Sequence, residues 1–423
     1  MRRIFLAVFI LFFSVGANAQ NVKQANSPYS YFGIGDLEPG TLLANRALGG
    51  YGTALRIPLN INLNNPAALS SLRRTTFETA LDFNGIWLNT EEATQPMSDV
   101  GIGHLAIAAP IKNFGGAGFA FQPYSSVYYQ LTNTDFVEGV GNVEIQHEGE
   151  GTIYQFYFGN GYTYKFISLG FDVSYLFGNL TNKTAARFPD LEGTHPYQIT
   201  KTRNTGGWLW NIGFQVHPMI TEKVQLIVGG TYRSATKLNM KNQKKIERVP
   251  IAFSGVTLID EEPFFDTGIA EGHVDLPSTI SLGLGFKKST QWQVGVDYKF
   301  ENWAKTNIEN QNATFNNRYT VSIGAAFIPW KEGIKKFLNT TQYRFGFYTG
   351  TDYIKPYQQS INRLGFTMGA GFPLSKRGTS TLNLSFDVGQ RGTTNNGLIK
   401  ENYFKTSIGV TLNDLWFIKP KFD

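Results

Sequence analysis

Apolar and polar residues alternate with a period of two through the C-terminal half of the chain. One run alternates Leu382, Leu384, Phe386 and Val388 with Asn383, Ser385, Asp387 and Gly389. A second alternates Trp292, Val294, Val296, Tyr298 and Phe300 with Gln293, Gly295, Asp297 and Lys299. This period puts the two sets on opposite faces of a β-strand. A soluble sandwich would turn its polar faces to water, whereas a membrane barrel turns its apolar faces to lipid and lines its lumen with polar ones.

Alternation and turn signals predict fourteen strands, with connections that alternate in length. The strands are expected at 75–90, 99–111, 115–130, 150–164, 165–179, 205–219, 222–237, 273–288, 290–300, 316–329, 341–350, 361–372, 379–390 and 401–413. Short turns such as 112–114 alternate with long loops at 131–149, 180–204 and 238–272, although one turn on the short side, 330–340, is long. Short turns at one end and long loops at the other are typical of bacterial outer-membrane barrels. The sequence therefore predicts an all-β, transmembrane antiparallel β-barrel of about fourteen strands.

The amino terminus favours the membrane barrel over the sandwich. Arg2 and Arg3 precede an apolar stretch at 4–15, and a small-residue cleavage site follows at 17–19. This pattern predicts a Sec-type signal peptide over 1–19 rather than a single anchor helix. No other stretch approaches the about 18 apolar residues of a helical span. An exported chain without a helical span can still enter a membrane as a closed barrel, so we expect the outer membrane of a Gram-negative bacterium.

Composition agrees with a barrel and excludes several function classes. Aromatic residues make up 14% of the chain and there are 45 glycines, which suits interface girdles and bent strands. The formal charge is +6 and is spread along the chain, so nucleic acid is not an expected partner. The absence of cysteine excludes disulfides, thiolate metal sites and cysteine nucleophiles.

The region between the signal peptide and the first strand, residues 20–74, shows no strand alternation. It is either disordered or folded inward as a plug. A fourteen-stranded lumen is too wide for its own side chains to fill, which favours the plug. We therefore expect three parts: the signal peptide 1–19, a plug over 20–74 and a barrel over 75–423.

This region carries a family resemblance. It contains Gly49-Gly50, then Asn65-Pro66-Ala67, and the first strand follows with Thr75, Thr76 and Phe77. The arrangement resembles the N-terminal hatch of the FadL/TodX-type outer-membrane transporters of long-chain fatty acids and other hydrophobic compounds. The resemblance implies passive uptake of a hydrophobic small molecule past a hatch built on Gly49, Gly50, Asn65, Pro66 and Ala67. An ordinary surface turn before a strand is the alternative.

The third predicted strand extends the resemblance. Gly115, Gly116, Gly118 and Pro123 interrupt it, and proline cannot donate to the strand ladder while glycine often marks a bulge. In the resembled family a kinked third strand opens the wall sideways, which implies a lateral opening near Gly118 to Pro123 into the outer-membrane lipid. The alternative is a bend at the membrane interface. The second strand also loses its alternation near Gly103, so this part of the wall is expected to be irregular.

The end of the chain leaves a second function open. The run Asn413-Asp414-Leu415-Trp416-Phe417-Ile418 is similar to barrels of the Bacteroidetes branch, among which PorV-type barrels serve secretion machinery. The alternative function is thus a non-transporting subunit of an outer-membrane secretion or assembly complex, with other outer-membrane proteins as partners. Both functions use the same fold.

No catalytic or cofactor motif is found. The five histidines lack metal-ligand spacing, so no metal or other cofactor is expected. His217 and His273 lie near strand ends without a serine partner evident in the sequence, so the chain is not expected to be an enzyme. Ionisable residues on the polar faces are expected to pair within the lumen or to hold the plug. These residues are Asp172, Arg233, Asp297, Lys299 and Asp387.

Overall fold

A computed structural model describes residues 27–112, 114–191, 197–248, 265–289, 291–306, 314–329, 337–374 and 379–415. These segments contain seventeen strands and a few short helices. The strands are β1 (Asp36–Leu37), β2 (Thr75–Asn89), β3 (Thr94–Ile111), β4 (Gly115–Val137), β5 (Gly141–Tyr164), β6 (Ile167–Arg187), β7 (Tyr197–Val216), β8 (Val224–Arg233), β9 (Thr236–Arg248), β10 (Phe265–Leu276), β11 (Thr279–Lys288), β12 (Trp292–Glu301), β13 (Arg318–Phe327), β14 (Gln342–Thr351), β15 (Asn362–Pro373), β16 (Thr381–Arg391) and β17 (Lys400–Asp414). The α-helices are Leu43–Arg46 and Phe337–Thr340, and the 3-10 helices are Pro28–Tyr31, Pro66–Ser71, Trp303–Lys305, Pro356–Gln358 and Asn395–Gly397.

The strands β2–β17 close into one antiparallel barrel, because β17 pairs with β2 over their whole lengths. Two barrel strands are each interrupted once. β8 and β9 together form one strand that faces β10 and β11, since β11 pairs with β8 and β10 pairs with β9. Counting each interrupted strand once gives fourteen barrel strands, which confirms the prediction.

The outer surface of the barrel is apolar. On β11, Ile280, Leu282 and Leu284 are exposed, whereas Ser281 between them is buried. The alternation seen in the sequence therefore turns its apolar face outward, as a lipid-facing wall does. Among the described residues, no helix is long and apolar enough to cross a membrane.

The strands extend further at one end of the barrel than the sequence predicted. The expected loop 131–149 is largely strand, because β4 runs to Val137 and β5 begins at Gly141. The expected loop 180–204 is likewise mostly β6 and β7. Alternation fades there because polar residues occupy both faces, as at Thr132, Asn133 and Thr134, once neither face contacts lipid.

Residues 27–74, which we call the plug, lie inside the barrel. Their packing against the wall is close at several inward-facing glycines. A Cβ added at Gly369 would stand 2.6 Å from Ala47 Cβ, and one at Gly324 would stand 2.7 Å from Leu48 O. The wall lacks side chains at these positions, so the plug backbone can lie directly against it.

Candidate functional site: the plug and the β3–β4 seam

Asn65, Pro66 and Ala67 begin a 3-10 helix, Pro66–Ser71, at the centre of the plug. The Asn65 side-chain oxygen accepts a hydrogen bond of 3.0 Å from the Ala67 amide and caps this helix. Its Nδ2 donates to Thr53 O at 2.9 Å and to Phe214 O on β7 at 3.0 Å. Asn65 is fully buried, so one side chain joins the helix, a neighbouring turn of the plug and the wall.

Gly49 and Gly50 form a second contact between the plug and the wall. Both have positive φ, of 68° and 86°, which L-residues with a Cβ rarely adopt. A Cβ at Gly49 would stand 2.8 Å from the backbone nitrogen and oxygen of Phe347. The Gly49 amide also donates to Thr367 Oγ1 at 2.9 Å, so this turn lies against β14 and β15.

Several carboxylates of the wall hold the plug. Asp297 Oδ2 on β12 accepts from the amides of Gly52 and Thr53 at 2.7 and 2.6 Å. Glu78 Oε1 on β2 accepts from the Ile61 amide at 2.7 Å, and Asp82 pairs with Arg46 at 2.6 Å. The plug is thus held by ionised or polar groups from several strands, and hydrogen bonds to charged groups are the stronger kind.

Only one of the five lumenal charges singled out in the sequence contacts the plug in this way. Asp297 binds the plug backbone as expected, whereas Asp172 accepts from Asn211 at 2.8 Å within the wall. Asp387 accepts from Tyr348 at 3.0 Å, Arg233 donates to Thr279 at 2.7 Å, and Lys299 pairs with Glu301 at 2.7 Å. Glu78, Asp82 and Arg46 were not singled out, because a strand-face pattern does not reveal which lumenal side chains meet the plug.

The β3–β4 seam, the contact line between β3 and β4, is paired only in its lower part. Pairing runs from Ile111 with Gly115 to Leu105 with Phe121 and then stops. The next residues of β3, 94–104, have no partner on β4 and, apart from Gly103, pair with β2, while β4 continues its pairing with β5 as far as Val137. A split in the wall therefore begins directly above Leu105 and Phe121.

Irregular backbone marks both edges of the split. The β4–β5 register shifts between Pro123 and Ser125, and the β2–β3 register shifts at Ala80 and Leu81, leaving Gly103 unpaired. Pro96 and Pro123 lie on the two facing edges, where a missing amide donor costs no ladder hydrogen bond. The irregularity expected near Gly103 is therefore present.

Above the paired part of the seam, β4 pairs with the plug instead of with β3. β1 pairs with β4 through Asp36 with Ser126 and Leu37 with Ser125. The Glu38 amide also donates to Tyr124 O at 3.0 Å. The inner side of the split is thus lined by β1.

The residues predicted for a lateral opening fall into two groups. Pro123 lies at the split. Gly115, Gly116 and Gly118 lie below it, in the part of β4 that pairs on both sides. There a Cβ on Gly118 would stand 2.7 Å from Ala108 Cβ, and the Gly116 position contacts Leu69 of the plug, so these glycines serve close packing instead.

A cavity of about 150 Å³ lies at the outer end of the split. Its lining comes from both sides of the split and from the plug: Pro28, Leu88, Thr90, Ala93, Gln95, Met97, Gln130, Leu131 and Ile399. Six of these residues are apolar, whereas Thr90, Gln95 and Gln130 are polar, and a cavity of this volume can hold a molecule the size of benzene. Next to it, inside the barrel, aromatic and aliphatic side chains such as Tyr29, Val127 and Leu398 form a buried cluster.

A buried charge cluster fixes the plug beside this apolar region. Arg391 pairs with Asp36 and with Asp352, both at 2.8 Å, and with Glu401 at 3.4 Å. Asp352 lies in the connection between β14 and β15. Although burial opposes its ionised form, Arg391 and Arg318 hold the pKa of this carboxyl below its ordinary value. The start of the plug is therefore bound to the wall by paired charges.

His217 has a serine partner that the sequence did not reveal. Its Nε2 lies 2.9 Å from Ser168 Oγ on β6. Burial and the nearby Arg56 lower the pKa of His217 to about 4, so the ring is neutral at pH 7. Ser168 has no exposed surface and also accepts from Arg56 at 3.0 Å, which does not favour a nucleophile open to substrate. Within the described segments, no group of three or more His, Asp or Glu side chains is placed to hold a metal ion.

Two sequence predictions lie outside the described residues. The signal peptide falls in 1–26, and the second half of the chain-terminal motif, 416–418, falls in 416–423. Both stay predictions.

The fold is shared with hydrocarbon transporters of known structure. The toluene transporter TodX of Pseudomonas putida superposes with a TM-score of 0.60 at 16% identity, over 90% of this chain and 100% of that one. The toluene transporter TbuX of Ralstonia pickettii gives 0.59 at 14% identity, over 89% and 98%. A FadL homologue of Pseudomonas aeruginosa gives 0.55 at 11% identity, over 89% and 97%. These likenesses establish a common barrel fold.

At the level of sequence, the chain matches one family. No curated protein matches the chain. One family model does match, and it covers residues 1–423. The chain belongs to the BamG family.

Proposed function

We propose that this protein is an outer-membrane barrel for passive uptake of hydrophobic molecules, which leave its lumen sideways through the split in the β3–β4 seam. The split carries the proposal, because it is a break in the pairing of the wall and has a mainly apolar cavity at its outer end. The structural neighbours support it, since two of them are described as toluene transporters.

The path has two parts in this proposal. A molecule enters from the outer end of the barrel, reaches the cavity beside Met97 and Leu131, and moves into the membrane between β3 and β4 beyond Pro123. The plug, with Gly49, Gly50, Asn65, Pro66 and Ala67, acts as the hatch that closes the lumen towards the periplasm. No energy source is needed, because transfer of an apolar molecule from water to lipid is itself favourable.

The size of the cavity bears on the ligand. About 150 Å³ accommodates a single ring-sized hydrocarbon but only part of a long acyl chain. We therefore place small apolar molecules first among the ligands, and long-chain fatty acids second, with the chain end in the cavity and the remainder along the split.

A second candidate function is a subunit of an outer-membrane secretion or assembly complex, of the kind that PorV-type barrels form. One observation favours it. Phe136 is 76% exposed and Ile269 is 69% exposed near the outer ends of strands that run well past the apolar band. Exposed apolar side chains above the lipid can bind a partner protein.

Purification of the tagged barrel from native outer membrane in mild detergent, followed by native mass spectrometry, separates the two functions. A lone barrel that carries a hydrophobic ligand, lost when Met97 and Leu131 are both replaced by lysine, is the result that uptake predicts. Replacement of Phe136 and Ile269 by serine serves as the matched control and should leave the ligand bound. Stoichiometric protein partners that are lost in the control variant, with no bound ligand, would instead establish the complex subunit.

A further inference from the structure

The short-turn end of the barrel is strongly basic. Among the described residues in or next to the short turns, seven are basic and two are acidic. The basic ones are Arg73, Arg74, Lys112, Lys165, Lys223, Lys287 and Lys288, and the acidic ones are Glu222 and Asp414. They belong to neighbouring turns, at the start of β2 and at the β3–β4, β5–β6, β7–β8 and β11–β12 connections, so they form an arc along the rim.

The opposite end carries charges of both signs in separate hairpins. The described residues at the tips of the β2–β3, β4–β5 and β6–β7 hairpins are mostly acidic: Glu91, Glu92, Asp135, Glu138 and Asp190, with Arg187 as the basic exception. The outer end of β9 is basic instead, with Lys241, Lys244 and Lys245, so the arc is distinguished by its run of cations along consecutive short turns.

Exposed aromatic side chains accompany the basic ones at the same level. Phe114 follows Lys112, and Tyr164 and Phe166 flank Lys165 in the next turn. The Lys165 ammonium lies 5.5 Å from the ring centroid of Tyr164. Exposed rings that alternate with lysines are typical of the depth where hydrocarbon meets lipid headgroups.

Inside this rim, a buried cation adds to the positive potential. Arg56 donates to Gln215 Oε1 at 2.8 Å, to Ser168 Oγ at 3.0 Å and to Ser70 Oγ at 3.2 Å, all of which are neutral. Lys287 donates to the Arg56 carbonyl at 2.8 Å, which brings a second cation to the same place. Burial and the charge of Arg73 lower the pKa of Arg56 to about 10, so it remains charged at pH 7.

We propose that the basic arc formed by Arg74, Lys112, Lys165, Lys223 and Lys288 binds anionic phospholipid headgroups of the periplasmic leaflet. The arc follows the barrel circumference over several strands, as a shell of lipids does, and each turn offers a cation for one phosphate beside rings that contact acyl chains. A compact acidic protein would instead bind best to basic residues gathered in one patch on one side of the rim. The inference uses the placement of the barrel in the outer membrane but not its uptake function.

Native mass spectrometry of the full barrel, delipidated and then titrated with phosphatidylglycerol or phosphatidylcholine, tests this site. We expect about tenfold stronger retention of phosphatidylglycerol. Replacement of Lys112, Lys165 and Lys288 by glutamine should reduce this preference to less than twofold. The matched control replaces Lys201, Lys241 and Lys244 by glutamine, which removes the same charge far from the arc and should keep the preference.

Folding of each variant is checked independently by the heat-dependent mobility of the barrel on detergent gels. Equal retention of the two lipids by the unmodified barrel, or equal losses in both triple variants, would overturn the proposal. Loss of an acidic periplasmic protein from the arc variant, with lipid preference unchanged, would overturn it as well. A failed ligand-uptake assay would leave these lipid measurements unaffected.

Discussion

The lower and upper parts of the β3–β4 seam use the same two strands but differ in what lies against them. Below Leu105 and Phe121 the strands pair fully, and the small residues of the seam, including Gly116 and Gly118, let the plug and the opposite strand approach closely. Above that point β4 pairs with β1 of the plug over two residues, and a mainly apolar cavity lies between β3 and β4 at the outer end of the split. The wall is therefore closed where β3 and β4 pair directly, and split where β1 of the plug takes the place of β3 beside β4.

Closing the split should have the largest effect. The chain contains no cysteine, so cysteines placed at Met97 and Leu131, which line the same cavity, can be joined by a cleavable bifunctional methanethiosulfonate. We expect uptake of a hydrophobic tracer into proteoliposomes to fall at least about tenfold, since the exit is bridged, and to recover after reduction. Cysteines at Gln390 and Asn402, which face each other in the intact β16–β17 pair, provide the control and should not change uptake. Unchanged uptake through the bridged split would rule out this exit.

Loosening the plug should have the next largest effect. Asn65→Ala removes three hydrogen bonds, to Ala67 N, Thr53 O and Phe214 O, and should lower the local opening free energy by about 2–4 kcal/mol. Hydrogen–deuterium exchange over residues 43–72 measures this change. Asn64→Ala removes the side-chain hydrogen bond to Gly50 O and is the matched control, with a smaller expected increase in exchange. Equal exchange in both variants would contradict the role given to Asn65.

Adding a backbone amide donor at the edge of the split should have a modest effect on uptake. Pro123→Ala supplies a donor and permits more regular pairing of β4, so we expect uptake to fall roughly two- to threefold. The control is Pro110→Ala, which removes a proline at the lower end of β3, away from the split. A similar decrease in the Pro110 variant would indicate a general effect on the barrel.

The smallest expected effect is on the pH dependence of stability. The pKa of Asp352 is lower in the folded protein than in the unfolded chain, because Arg391 and Arg318 favour its ionised form. A lowered folded-state pKa stabilises the fold above the unfolded value of about 3.9, and this contribution is lost as the pH falls through the folded-state pKa. Thermal unfolding between pH 7 and pH 3 should therefore show a shallower decline in Asp352→Asn than in the unmodified protein. Parallel curves for the two proteins would show that this carboxyl is not involved.

Much of the fold could be predicted from the sequence because barrel strands obey a local rule. Alternation at residues such as Ile280 to Phe286 reports which face meets lipid, and that is sufficient to count fourteen strands. The outer extensions of β4 to β7 could not be predicted, because above the lipid neither face needs apolar residues.

The candidate site could be predicted only in part. Asn65-Pro66-Ala67 and Pro123 are local signals and pointed to the plug and to an irregular strand. The position of the split depends on the pairing of β1 with Ser125 and Ser126, and the His217–Ser168 contact joins residues 49 positions apart, at the start of β6 and just after β7. Contacts of this kind are set by barrel register, which a single sequence does not contain.

Photolabelling with a small lipophilic diazirine in nanodiscs, with and without excess toluene, tests the lateral exit most directly. We expect toluene to protect residues at the split, on β3 around Met97 and on β4 around Leu131, while labelling of the lipid-facing band around Leu282 and Val294 is unchanged. Labelling at Met97 and Leu131 that toluene does not reduce, or that is no stronger than on the lipid-facing band, would contradict it.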